Sequence, residues 1–177
     1  IYLPLLLIIS SVNSFAKEFK ADDILGFWLS ESGRGVIEVY KDGDKYSGKL
    51  VWIIDKFTGK VKEPLDKENP DEKLRDRPLD GLKNLVGFTF DDDEWTGGTI
   101  YDPKKGKTYK AYMSLQDMNL LKLRGYVGVP LFGRTSEWTR QKTAIPDQYV
   151  KTEESVQQVK QATEMKPVKD IKKIEMH

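Results

Sequence analysis

Residues 35–54 read GVIEVYKDGDKYSGKLVWII. Asp42-Gly43-Asp44 sits between two stretches in which apolar and polar residues alternate. Gly and Asp accept the left-handed backbone of a tight hairpin turn, so the stretch is predicted to be two antiparallel strands, 35–41 and 45–54. On the second strand Tyr46, Gly48, Leu50, Trp52 and Ile54 fall on one face and Lys45, Ser47 and Lys49 on the other.

The same pattern recurs in both directions from this hairpin. A short strand is expected at 26–30, before the turn Glu31-Ser32-Gly33-Arg34. Beyond it come 86–91 and 95–101, separated by Asp92-Asp93-Glu94, and then 107–115 after Asp102-Pro103-Lys104-Lys105-Gly106. Gln116-Asp117-Met118-Asn119 leads into 120–127, and the last strand covers 135–140. Eight strands with hairpin connections and no helical pattern between them predict an all-β, eight-stranded antiparallel up-and-down barrel, in which closure removes both sheet edges. A two-sheet β-sandwich is the alternative.

Gly26-Phe27-Trp28, preceded by Ala21-Asp22-Asp23-Ile24-Leu25, resembles the Gly-x-Trp opening of lipocalins and other calycins. The resemblance implies that a basic residue of the last strand lies over Trp28 and plugs the barrel floor; Arg140, in phase with Trp138, occupies that position. Gly26, Trp28 and Arg140 are therefore the expected closure set, held by a cation–π contact.

One connection is long. Residues 55–81 contain three prolines, eight acids and seven bases with no sustained period. Loops of this length inside a compact domain are commonly lids, or insertions with their own packing. The near-balance of charge predicts internal ion pairs and a partly ordered cap. The two ends lie outside the barrel domain, which is assigned to 17–140. Residues 1–16, IYLPLLLIISSVNSFA, have the short apolar run of a signal peptide, far below the roughly 18 residues that span a bilayer, with cleavage expected after Ala16. This segment carries no basic residue and starts on Ile, so the signal peptide is read as truncated at its start. Residues 141–177 form a charged tail, expected to be mostly disordered with a short helix at 151–165.

Composition narrows the chemistry. The chain has 177 residues, no cysteine and a single histidine, His177. Disulfide scaffolds, thiolate nucleophiles, Cys/His zinc sites and His-based triads are thereby excluded. Twenty-nine basic residues face 28 acidic ones. The loop, the tail and the remainder are each close to neutral, so no positive stripe exists to follow phosphates and nucleic acid is not an expected partner. Membrane-surface binding is disfavoured for want of a basic amphipathic helix, and no transmembrane span is expected. Asp91-Asp92-Asp93-Glu94 lacks the alternating ligands and glycine of a calcium loop and is read as a solvated hairpin tip. No catalytic set, metal or cofactor is assigned.

Between Arg124 and Arg134, three glycines and Pro130 accompany Tyr126 and Phe132. A guanidinium at the mouth of an apolar barrel captures a carboxylate through paired hydrogen bonds. Trp52, Tyr109, Arg124, Tyr126 and Arg134 are therefore the candidate ligand-binding residues. The competing reading makes the aromatics core filling and pairs the arginines with loop acids such as Asp71 or Asp76.

Several segments carry a further resemblance. They are Asn69-Pro70-Asp71 through Arg77-Pro78-Leu79, Gly98 to Pro103 followed by Gly106-Lys107-Thr108-Tyr109, and Arg124 to Gly128 through Phe132 to Thr135 with Trp138-Thr139-Arg140. In this order they resemble the bacterial domain-of-unknown-function family 2147 (DUF2147), exported proteins of Gram-negative bacteria. The resemblance implies a calycin-like barrel and a periplasmic or secreted location, and brings no catalytic residues with it. The expected function is binding of a small apolar or amphipathic molecule. The alternatives are a solid barrel that recognises an envelope protein partner through the 55–81 loop or the tail and, more remotely, a carboxylate-based hydrolase.

Overall fold

The eight strands expected from the turn residues form, and the sheet they make closes on itself. The computed structural model describes residues 18–54, 64–146 and 148–149. The strands are β1 (Gly26–Leu29), β2 (Gly35–Asp42), β3 (Lys45–Ile53), β4 (Lys83–Asp91), β5 (Glu94–Asp102), β6 (Lys107–Asp117), β7 (Leu120–Tyr126) and β8 (Arg134–Gln141). Each pairs antiparallel with its sequence neighbour, and β1 pairs with β8, giving a closed up-and-down barrel and not a sandwich. The signal-peptide segment 1–16 and the helix expected at 151–165 lie outside the described residues.

All eight strands contribute to one apolar cluster, which is the barrel interior. Trp28, Leu85, Phe88, Trp95, Met113 and Leu121 are fully buried within it. Side chains reach across the barrel onto bare backbone. A Cβ at Gly98 would stand 2.5 Å from the Phe88 ring, and one at Gly48 would stand 2.8 Å from Leu85. Small residues opposite large ones in this way leave a core filled by its own side chains, which eight strands can achieve.

A bulge changes the reading of β3. Val36 pairs with Trp52 and Ile37 with Leu50, so Val51 is an extra residue on β3. One extra residue reverses the inside–outside phase beyond it. Tyr46 and Leu50 face the interior as expected. Trp52 and Ile54 instead join Val36, Phe27 and Leu29 in a second cluster on the outer wall.

Chain after β8 covers that cluster. The 140/141 boundary drawn from sequence falls inside β8, and Ile145 and Tyr149 return to the outer wall, with the Tyr149 ring 5.0 Å from Trp52. The start of the tail thus hides an apolar patch of β1–β3 that would otherwise face water.

Candidate ligand-binding site

The barrel floor is built from the contacts that join the first strand to the last. Trp28 and Arg140 are direct partners across β1 and β8. The Arg140 guanidinium lies 4.2 Å from the Trp28 ring centroid. Its Nη1 donates to the Leu25 carbonyl at 2.7 Å and its Nη2 to that of Asp23, while Nε donates to Met118. Gly26, at φ 120°, allows this approach: a Cβ there would lie 3.2 Å from Arg140 Nη1. A 3-10 turn, Ala21–Ile24, lies across the floor. Trp28 Nε1 donates to the Ile24 carbonyl and Trp95 Nε1 to that of Ala21, and the Tyr46 hydroxyl donates to Asp22 at 2.6 Å. Burial and the hydrogen bond to Asp22 push the Tyr46 phenol up to about 12. This end is sealed.

The five candidate ligand residues do not converge. Trp52 lies on the outer wall, under the start of the tail, and its buried Nε1 has no acceptor among the described residues. Tyr109 is half-buried, in phase with the inward-facing Ala111, at the mouth beside Ile100 and Gly125. Arg124 and Tyr126 alternate with the inward Leu121 and Leu123 and so face outward. Tyr126 packs against Tyr112 with ring centroids 6.5 Å apart. Arg124 holds the β7–β8 connection: Nε and Nη2 donate to the carbonyls of Pro130 and Leu131, at 2.8 and 3.3 Å, and Nη1 donates to Thr135 Oγ1 at 2.8 Å. Arg134 pairs loosely with Glu31, at 3.5 Å. Neither arginine meets Asp71 or Asp76.

A different constellation stands on the outer face of β5, assembled by the long connection. Asp66 is completely buried. Its carboxylate accepts from Asn69 Nδ2 and the Tyr101 hydroxyl, both at 2.7 Å, and from Arg77 Nε at 2.9 Å and Nη2 at 2.8 Å. Burial pushes the carboxyl up, but the hydrogen bonds from Asn69, Tyr101 and Arg77, with the Arg77 charge, outweigh it and hold Asp66 below the ordinary range. Burial and the hydrogen bond to Asp66 raise the Tyr101 phenol. The connection sits flush on the β5–β6 hairpin: a Cβ at Gly106 would fall 1.7 Å from the Glu68 carbonyl oxygen. Among its described residues two further ion pairs form within it, Lys67–Asp76 and Arg75–Glu72, as the balance of charge predicted.

Between this anchored connection and the outer wall of β4–β6 runs an open cleft of about 420 Å³. Arg77, Lys83 and Tyr101 line it together with Val86, which is 44% exposed. Asn84, also in the lining, is 5% exposed, and its buried Oδ1 has no donor among the described residues. Lys83 is held to Asp42 at 2.5 Å. The carboxyls of Asp22, Asp42, Asp66 and Asp76 are all shifted down. That direction suits structural acceptors and is opposite to the raised value a general acid needs. The second notable cleft, about 630 Å³, lies at the β4–β5 hairpin among Asp91, Asp92, Asp93 and Glu94. Asp92 and Asp93 both take left-handed backbone there, and Asp93 accepts from the Phe19 N–H.

Sequence reading passed over Asp66, Asn69, Arg77, Asn84 and Tyr101 as ligand-site residues. Three of them, Asn69, Arg77 and Tyr101, belong to segments that carry the family resemblance, and that was the available signal. The model of a family described as uncharacterized protein conserved in bacteria, DUF2147, matches residues 26–140, which is more than half of the chain. The chain belongs to DUF2147. The matched region begins at Gly26 and ends at Arg140, so the floor closure delimits it. No curated protein matches this DUF2147 chain. Among solved structures it is similar to protein HP1028 from the human pathogen Helicobacter pylori, described as belonging to the lipocalin family. The identity is 22%, the TM-score 0.59, and the match covers 72% of this chain and 86% of that one. At that identity the likeness shows the fold: this DUF2147 domain is a lipocalin-like barrel.

Proposed function

We propose that this chain is an exported binding protein whose ligand is a small amphipathic molecule, held in the cleft beside the 64–81 connection and not in the barrel centre. The observation that carries the reading is the buried Oδ1 of Asn84 in that cleft, which has no partner among the described residues. A buried acceptor left without a donor costs about 1–3 kcal/mol, which a ligand hydroxyl or N–H would recover. Val86 and Tyr101 offer apolar surface, the Arg77–Asp66 and Lys83–Asp42 pairs give the cleft a polar rim, and the volume is within the range of small-molecule sites. Export to the periplasm or beyond is supported by the apolar run within residues 1–16.

The test is titration of isotope-labelled protein with 3-hydroxyoctanoate, which joins an anion, a hydroxyl donor and an alkyl chain, with octanoate as the control lacking the hydroxyl. Saturable amide shifts at Asn84, Val86 and Thr99, weakened about tenfold by Asn84→Leu, are expected. Saturable shifts confined to interior residues such as Leu85 and Met113, or none at all, would overturn the reading.

A further inference from the structure

The β7–β8 connection carries the most exposed apolar residues described in this chain. Val127, Val129, Leu131 and Phe132 are 69%, 52%, 79% and 80% exposed. They are not on a loose loop: Arg124 grips the carbonyls of Pro130 and Leu131 from below, and Pro130–Phe132 forms a 3-10 turn. The backbone is thus satisfied from the barrel side, and the side chains point away from it. Soluble proteins seldom hold four neighbouring apolar side chains in water without a use for them.

We propose that this connection is a docking tip that inserts its apolar side chains into the interface of an anionic bilayer. Its surroundings carry the matching charge. Lys110 is the β-partner of Tyr126, Arg134 is that of Gly125, and Lys105 and Lys107 stand on the adjacent β5–β6 hairpin. The acids of this sector are Glu31, near Arg134, Asp102, the partner of Lys107, and Glu68, whose backbone lies against Gly106. Acids of the neighbouring 64–81 connection are partly spoken for: Asp66, Asp76 and Glu72 each have a cation of their own. Basic groups around an apolar tip favour an anionic surface, and the Tyr112–Tyr126 pair stands at the base of the tip, where inserted side chains would bring it towards lipid headgroups. Size points the same way. A stable protein interface needs about 800 Å² from each partner, more than four protruding side chains supply, whereas shallow insertion needs no complementary shape. The sequence offered no basic amphipathic helix for this role; a pinned loop takes its place.

Flotation of the full chain with vesicles tests the proposal. Wild type is expected to bind vesicles of phosphatidylcholine with 30% phosphatidylglycerol, and to bind pure phosphatidylcholine about tenfold less. Leu131→Ser/Phe132→Ser should weaken binding to the anionic vesicles about tenfold at unchanged Tm. Lys110→Glu/Arg134→Glu should weaken it several-fold, and high salt should erase that difference. Because every variant retains residues 1–16, any lipid affinity of that segment cancels in the comparison. Equal binding by wild type and the Leu131/Phe132 variant would overturn the proposal. So would vesicle-free self-association that vanishes in that variant while lipid binding does not change, which would make the tip a contact between copies of the chain. Binding of 3-hydroxyoctanoate in the cleft is a separate measurement, and neither result depends on the other.

Discussion

The floor and the mouth of this barrel are organised by opposite means. At the floor, one guanidinium stacks on Trp28 and reaches carbonyls more than a hundred residues away in sequence, at Leu25 and Asp23. At the mouth, Asp66 gathers Asn69, Arg77 and Tyr101, which are 3, 11 and 35 residues away. Floor contacts join the first strand to the last and so hold the ring shut. Mouth contacts fasten a connection to a wall that already exists. The fold should therefore depend on the floor as a whole, and on the mouth only locally.

Trp28→Ala should show the largest effect. It empties a fully buried site, removes the ring beneath Arg140 and frees the Ile24 carbonyl, at a cost of about 3–5 kcal/mol. Urea unfolding should show a lower midpoint with an unchanged slope. Arg140→Ala comes next, at about 2–3 kcal/mol, because charge-assisted hydrogen bonds and the stacking are lost together. Asp66→Ala should also cost about 2–3 kcal/mol locally. Its readout differs: hydrogen exchange and protease cleavage should rise within 64–81 while the strands stay protected. If Asp66→Ala unfolds the strands as cooperatively as Trp28→Ala, the division between floor and mouth is broken.

Acid and base probe the same two ends. Asp66 is held below its unfolded value of about 3.9. Its contribution is fully present above that value and lost as pH falls through the folded pKa, so exchange in 64–81 should accelerate on acidification. Asp66→Asn should abolish that acid dependence. At the floor, Tyr46 is pushed up to about 12 from an ordinary value of 10. The unfolded chain gives up this proton first, so stability should fall between about pH 10 and 12. Tyr46→Phe should flatten that alkaline limb.

Much of this division was legible in the sequence, for physical reasons. Turn chemistry is local, so Asp42-Gly43-Asp44 and Asp92-Asp93-Glu94 mark their hairpins without help from the rest of the chain. Closure was legible because its residues sit at the two ends of the strand region. The outward turn of Trp52 was not: the bulge at Val51 depends on pairing with β2, while the written alternation continues through it undisturbed. Nor could the sequence single out Asp66 among the eight acids of 55–81, because burial selects it through Tyr101, a residue of another strand. Arg124 was legible as a guanidinium near the mouth, but its hydrogen bonds go to carbonyls, which every residue carries and no sequence distinguishes.

The smallest expected effect makes the sharpest control, because β8 carries an arginine near each end of the barrel. Arg134 and Arg140 share a strand, a residue type and the same phase of alternation. Arg140 is surrounded by three carbonyls and an indole. Arg134 has one carboxylate at 3.5 Å, its own side chain is 85% exposed and that of Glu31 is 50% exposed. Exposed pairs of that kind are screened by water and give back in side-chain entropy what they gain in attraction. Arg134→Ala should therefore leave the urea midpoint unmoved, while Arg140→Ala lowers it. Should Arg134→Ala destabilise the barrel to a comparable degree, the mouth would share in closing the ring, and Arg134 would have to be making a contact that its exposure contradicts.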